Sequence, residues 1–312
     1  MLRVVYMGTP EFAVPALQAL ASRADLEVCL VVSQPDRPAG RGGKLKSPAV
    51  IEAARAAGLP TWQPESLKPD EAFATLRDVP ADLYVVAAYG EILRQRVLDL
   101  PRMGALNIHG SLLARWRGAA PIQWSIASGD PAGGVAIMKM ERGLDTGPVY
   151  AMHARMIAED MTAGELHDAL SLYGARLLMD TLPAVLDGAT PAAQDASRAT
   201  YARMLTAADR SLRPDMTAAQ IAWWVNGMSP WPGVTMTVGE EPLALLRARP
   251  LAAMNDAPPW SLVEHEQMPC VVGADQKLAA LLEVRRPGRR TVDGRSWLNG
   301  EPMVGQVLRP VP

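Results

Sequence analysis

Apolar and polar positions along the first half of the chain alternate between two periods. Residues 2–7 (LRVVYM) and 26–33 (LEVCLVVS) are nearly continuous apolar runs of strand length, the pattern of strands buried on both faces. Further strand signals lie at 82–88, 104–109 and 134–140, with helix-period segments at about 10–22 and 48–57. Thr9 is placed to cap the first helix, and Pro10 suits its opening position. Strands separated by helices predict an α/β fold, a mostly parallel sheet covered on both faces. Ligands of such sheets bind beyond the carboxyl ends of the strands. A longer helix is predicted over 163–187. Thr162-Ala163-Gly164-Glu165 has capping-box spacing, Leu166, Leu170, Tyr173 and Leu177 share a face, and Gly188 supplies the stop.

From Ala189 to Thr206 the chain turns Ala/Pro/Thr/Ser-rich and loses its period, which reads as a linker. A second capping box, Thr217 to Gln220, then opens a short helix. Strand-like pieces follow at 233–238, 242–249, 260–264, 269–273 and 278–284, broken by Gly and Pro. Several short strands with little helix predict a small β-barrel. The expected division is a domain over 1–188, a linker over 189–206 and a barrel domain over 207–312.

Composition narrows the class. The 312 residues are 49% hydrophobic and carry 31 Lys+Arg against 33 Asp+Glu, a formal net charge of −2. That excludes a disordered, collagen-like or disulfide-scaffold chain, and any contact with nucleic acid has to come from local patches. Cys29 and Cys270 lie far apart with no CxxC or Cys/His cluster. No metal site or redox pair is expected, and Cys29, inside an apolar run, is expected as a buried thiol. The N-terminal residues lack a signal-peptide layout and no run approaches 18 apolar residues, so a soluble protein of a reducing compartment is expected, without a membrane partner. The turn Gly8-Thr9-Pro10-Glu11-Phe12 contains neither GxGxxG nor Gly-Lys-Ser/Thr, which argues against a dinucleotide or P-loop nucleotide there. It reads first as a tight turn feeding a helix, with a supporting role in a pocket left open.

The segment richest in chemistry is Asn107-Ile108-His109-Gly110-Ser111-Leu112-Leu113. On a strand over 104–109, Asn107 and His109 share a face, which sets an amide donor and an imidazole at the rim of the sheet. Beyond the next apolar strand, Gly143 and Gly147 bracket Asp145, so a loop can approach a ligand closely and aim one carboxylate. An Asn, a His and an Asp at one rim suit acyl transfer to an amine. His moves the proton, Asp supports its charged form, and the Asn amide donates to a tetrahedral oxyanion. No GxSxG is present and neither cysteine neighbours a histidine, so direct attack by the amine is the simpler mechanism. By spacing alone, a structural role for a strand-end histidine stays open.

The lettering goes further. Asn-Ile-His-Gly-Ser-Leu-Leu-x-Arg-Trp-Arg-Gly-Ala-Ala-Pro-Ile-Gln over 107–123 resembles the signature of folate-dependent formyltransferases, and Gly143-Leu144-Asp145-Thr146-Gly147 is similar to their second motif. Met7 to Ala13, Gln34 to Gly42, Val86 to Gly90 and Ser229-Pro230-Trp231-Pro232 extend the resemblance over most of the chain, and the 34–42 segment points to the branch acting on methionyl-tRNA. The resemblance implies a Rossmann-like formyltransferase domain followed by an OB-like barrel. It implies transfer of a formyl group from the co-substrate 10-formyltetrahydrofolate to the α-amine of methionyl-initiator tRNA, in a bacterial cytosol or organelle matrix, by a monomer without metal. Carried over, the catalytic residues are Asn107, His109 and Asp145. The folate is expected along Val86, Ala88, Tyr89, Gly90 and Ile92, along Ser111, Leu112, Leu113 and Ala114, and along the 138–145 strand and loop.

For tRNA, the loop matching 34–49 offers Arg37, Arg41, Lys44 and Lys46 against one acid, Asp36, a composition suited to phosphate and base-edge contact. A second patch holds Arg285, Arg286, Arg289, Arg290 and Arg295, of which Arg289 and Arg290 are the expected contacts. Trp223 and Trp224 read as packing residues. Two departures from the family pattern stand out. Ala114 replaces a proline, which is expected to loosen its loop. Met204-Leu205-Thr206 through Leu212-Arg213-Pro214 replace a segment with a lysine and Ile-Asp-Trp. The rival readings are a formyltransferase on a nucleotide-linked amino sugar, a formyltetrahydrofolate hydrolase, and a non-catalytic folate or RNA binder. The first two leave the 34–42 loop and the Trp231-Pro232 entry to the barrel unexplained. The last has no need of the intact trio.

Overall fold

The computed structural model describes residues 1–39, 44–300 and 304–311. The chain forms two compact units. One comprises Met1–Gly118, Gly134–Ala154 and His167–Tyr201; the other comprises Ala119–Gly133, Arg155–Leu166 and Ala202–Pro312.

The first unit is built on strands β1 (Leu2–Gly8), β2 (Leu26–Val32), β3 (Thr61–Trp62), β4 (Leu83–Ala87), β5 (Ala105–His109), β6 (Ala132–Lys139) and β7 (Val149–Met156). They lie in the order β7-β6-β5-β4-β1-β2-β3. Pairing is parallel from β3 through β5, and β6 runs antiparallel to β5. Val4, Val5, Tyr6 and Met7 are all fully buried, because a central strand in such a sheet is covered on both faces. Each such apolar side chain contributes roughly 1.5–3 kcal/mol through burial. The β1 strand has β2 on one side and β4 on the other, so the chain reverses its winding there and leaves a crevice at the carboxyl ends.

The first helix departs from expectation at its start. A 3-10 turn over Glu11–Ala13 precedes the α-helix Val14–Ala21. The Thr9 hydroxyl caps neither: it donates to the carbonyl of Tyr89 at 2.7 Å, tying the turn after β1 to the turn after β4. The capping box before Ala163–Leu186 forms as read, with Thr162 N donating to Glu165 Oε2 at 2.9 Å and Glu165 N to Thr162 Oγ1 at 3.3 Å. Cys29 is half-buried rather than buried, its thiol donating to the carbonyl of Val4. Strand β7 has no counterpart in the sequence reading, because His153 and Arg155 interrupt its apolar residues.

The second unit carries strands β8 (Val234–Val238), β9 (Glu241–Met254), β10 (Leu262–His265), β11 (Met268–Val272), β12 (Lys277–Arg285) and β13 (Leu308–Pro310). All pair antiparallel in the order β10-β11-β12-β9-β8-β13. Register shifts along β9 curl the sheet, as bulges do, and a bridge between Ser261 and Val307 brings its two ends together. The helix Ala218–Gly227 fills this curl with Ile221, Ala222 and Val225, all fully buried. Its buried Asn226 gives Nδ2 to the carbonyl of Ala248 at 2.8 Å and accepts from Ala248 N at 2.9 Å, so no polar atom of that side chain is stranded.

Candidate active site

Asn107 and His109 end β5, where antiparallel pairing sets them opposite Met138 and Ala136 of β6. The chain returns through the 141–147 loop, and Asp145 arrives there with φ 51°, in a left-handed conformation uncommon outside glycine, though Asp is among the residues that adopt it more readily. Asn107 Nδ2 donates to Asp145 Oδ1 at 3.5 Å, and His109 Nδ1 stands 3.8 Å from Asp145 Oδ2. The backbone N–H of Gly118 donates to the same Oδ2 at 2.8 Å. The three residues read from the sequence therefore meet at one carboxylate.

The histidine ring is fixed from its other side. His109 Nε2 lies 3.0 Å from the carbonyl of Trp116. A carbonyl only accepts, so Nε2 carries a proton, and Nδ1 is the ring nitrogen that faces Asp145. The ring is oriented by Trp116, and Asp145 stands beside Nδ1. His109 is buried and Asn107 half-buried, which strengthens hydrogen bonds made there.

The expected folate residues divide by exposure. Ala88, Gly90 and Ile92 are exposed just beyond β4, whereas Val86 and Tyr89 are buried. The Tyr89 side chain is packed in the core, and that burial, with Glu91 nearby, pushes its phenol above the ordinary range. Ser111, Leu113 and Ala114 are buried and Leu112 half-buried. At Ala114, Ser111 Oγ donates to the carbonyl of Arg115 at 2.7 Å, and Thr200 N to that of Ala114 at 3.3 Å. An open cleft of about 500 Å³ lies at the crevice between the turns after β1, β2 and β4. Thr9, Pro10, Gln34, Pro48 and Ala88 to Gly90 line it, a volume and lining suited to a small-molecule ligand. Among the described residues no group of three His, Cys, Asp or Glu is arranged to hold a metal.

Arg37 and Lys46 line the same cleft. They pair across a short hairpin, Arg37–Ala39 with Lys44–Lys46, which leaves Lys44 and Lys46 exposed. Arg41 lies outside the described residues. The acid of this segment, Asp36, accepts from Gln63 Nε2 at 2.8 Å and Ser47 Oγ at 3.0 Å, which holds its carboxyl below the usual range. Arg289 and Arg290 are exposed on the turn after β12. Arg286, grouped with them in the sequence, is instead buried, its Nη1 donating to the carbonyls of Glu241 and Pro242. Trp224 is buried with its Nε1 on the carbonyl of Asp209, and Trp223 covers Gly129, so both serve packing.

Three contributors escaped the sequence reading: the carbonyl of Trp116, the N–H of Gly118, and Gln194. The first two act through backbone atoms, which any residue type supplies. Gln194 lies in the stretch read as a linker.

Comparison with known proteins gives the family. Residues 2–182 match the family model described as formyl transferase, and residues 204–302 the one described as formyl transferase, C-terminal domain. The chain is 44% identical over 300 residues to a methionyl-tRNA formyltransferase of Thiobacillus denitrificans, covering 96% of both chains. It is 43% identical over 303 residues to one of Halorhodospira halophila, covering 97% of each. Among solved structures, an N-formyltransferase from Helicobacter canadensis, in complex with folinic acid and dTDP-3-aminofucose, shares the fold with TM-score 0.69 at 13% identity, over 90% of this chain and 99% of that one. HypX from Aquifex aeolicus, in complex with tetrahydrofolic acid, aligns with TM-score 0.59 at 14% identity, over 95% of this chain and 47% of that one.

Proposed function

Because the chain belongs to the formyl transferase family, we propose that it moves a formyl group from 10-formyltetrahydrofolate to the α-amine of methionine carried on initiator tRNA. The relatives cited above carry the name methionyl-tRNA formyltransferase and match 96% and 97% of this chain. The observation that carries the chemistry is the meeting of Asn107, His109 and Asp145 at the end of β5.

In the proposed reaction the neutral amine attacks the formyl carbon. Asn107 Nδ2 has two protons and spends one on a long bond to Asp145, which leaves the other for the developing oxyanion. His109 takes the proton lost by the amine at Nδ1, and the resulting imidazolium lies beside the Asp145 carboxylate. The bond from the formyl carbon to the folate nitrogen then breaks, and His109 returns the proton to that nitrogen. One carbon–nitrogen bond forms, one breaks, and one proton crosses the site. The exposed backbone at Ala88 and Gly90 and the segment from Ser111 to Ala114 are the proposed folate walls. Arg37, Arg41, Lys44 and Lys46 are the proposed tRNA contacts near the reacting end.

The test is formyl transfer with methionyl-initiator tRNA, methionyl-elongator tRNA, free methionine and a nucleotide-linked amino sugar as parallel acceptors. Strong preference for the initiator is expected. Folate turnover without formylated tRNA, or transfer to the sugar, would overturn the reading.

A further inference from the structure

We infer that Gln194 is a positioning residue for Asp145, holding the main chain of the catalytic loop to the same turn that holds the Asp145 carboxylate and the His109 ring. This rests on the function proposed above and goes beyond the three reacting side chains.

Every hydrogen-bonding capacity of the Gln194 amide is used. Its Nε2 donates to the carbonyl of Asp145 at 2.8 Å and to that of Gly147 at 2.7 Å. Its Oε1 accepts from Arg117 Nε at 3.1 Å and Nη2 at 2.8 Å. Two donors on one end and two acceptors on the other leave the amide a single orientation. Arg117 is buried, at 6% exposure. A buried guanidinium on Oε1 polarises the amide and strengthens the two bonds that its nitrogen donates.

What Arg117 sits between gives the contact its meaning. The carbonyl before it, on Trp116, takes the proton of His109 Nε2, and the N–H after it, on Gly118, donates to Asp145 Oδ2. Gln194 therefore closes a ring of contacts: His109 to Trp116, through Arg117 to Gln194, to the Asp145 backbone, and through its carboxylate back to Gly118. The turn is itself braced, since Trp116 N donates to Thr200 Oγ1 at 2.9 Å and Arg117 N to the carbonyl of Thr200 at 2.9 Å. Without Gln194, Asp145 is held through its carboxylate, by the Gly118 bond and the long bond from Asn107, and its main chain loses the tie to that turn. The residues from 194 to 200 are then a brace for the active site.

Gln194→Glu is the informative substitution. A carboxylate still accepts from Arg117, so the buried cation keeps a partner, but it cannot donate to the two loop carbonyls. Gln194→Ala removes both sets of contacts. We expect each to lower kcat about 10–100-fold, as misplacement of a catalytic group does, with KM for formyl donor and aminoacyl-tRNA within about 2-fold. In an Asp145→Asn background, measured by single turnover, Gln194→Glu should change the rate by less than about 3-fold, because the two substitutions disable one unit. Hydrogen exchange at the Gly118 amide should accelerate about 10-fold or more in Gln194→Glu, with the β4 amides unchanged. That measurement decides the inference even if wild-type protein fails to formylate tRNA, an outcome that would overturn the proposed function instead. A kcat within 2-fold of wild type, losses that multiply in the double variant, or unchanged Gly118 exchange would overturn the role of Gln194.

Discussion

Asp145 faces three polar groups with two oxygens, and the distances rank them. The Gly118 N–H, at 2.8 Å, is the anchor; Asn107 at 3.5 Å and His109 at 3.8 Å are held nearby without being tightly bonded. Slack of this size suits a site whose hydrogen bonds shorten when substrate arrives. Asp209 shows the opposite use of the same side chain. It is buried, takes Arg203 Nη2 at 2.6 Å and Nη1 at 2.8 Å, and accepts from Thr206 N at 2.7 Å. The Arg203 guanidinium, with Thr206, holds its carboxyl below the usual range. A lowered carboxyl contributes stability that is present above the ordinary aspartate value of about 3.9 and lost as pH falls below it. Arg203 is half exposed, so solvent screens part of the gain. Asp209→Asn should cost about 1–2 kcal/mol at pH 7, a cost that is smaller at an acid pH below the ordinary aspartate value. Denaturant unfolding at both pH values checks this, and an equal cost at the two would contradict it.

At the scale of elements, the 141–147 loop decides where Asp145 stands, and Gly147 decides where the loop ends. A Cβ on Gly147 would collide with the backbone carbonyl of Lys139 at the end of β6, an obstacle no side-chain rotation relieves. Gly147→Ala should therefore destabilise the first unit by about 1–3 kcal/mol and lower turnover at least 10-fold by displacing Asp145. Normal turnover in a folded variant would separate the loop from catalysis. Much of this was legible in advance. The runs around β1, β2 and β4 are long and apolar, and the boxes at Thr162 and Thr217 use local side chains, so both can be read from neighbouring letters. Asn107, His109 and Asp145 were legible because the lettering around them resembles a known signature. Thr9 was misread because its partner, the Tyr89 carbonyl, is 80 residues away. Gln194 escaped for the same reason: a glutamine that grips carbonyls takes its meaning from contacts distant in sequence.

For the whole molecule, a net charge of −2 leaves recognition of a polyanion to local cations. Arg289 and Arg290 are exposed, while Arg286 is spent on carbonyls, which limits this patch to a few phosphate contacts. Replacing both Arg289 and Arg290 by Ala should flatten the salt dependence of tRNA binding by up to about two phosphate contacts; an unchanged slope would leave that turn out of the interface. No described helix is long and apolar enough to cross a membrane. The central claim is that the two substrates meet at Asn107, His109 and Asp145 and that the formyl group passes directly between them. Rapid quench of enzyme, 10-formyltetrahydrofolate and methionyl-initiator tRNA tests it in one turnover. We expect tetrahydrofolate and formylated tRNA to appear with one rate constant, and Asn107→Ala to slow both about 10²–10³-fold. Tetrahydrofolate released ahead of formylated tRNA, or an Asn107→Ala enzyme as fast as wild type, would contradict it.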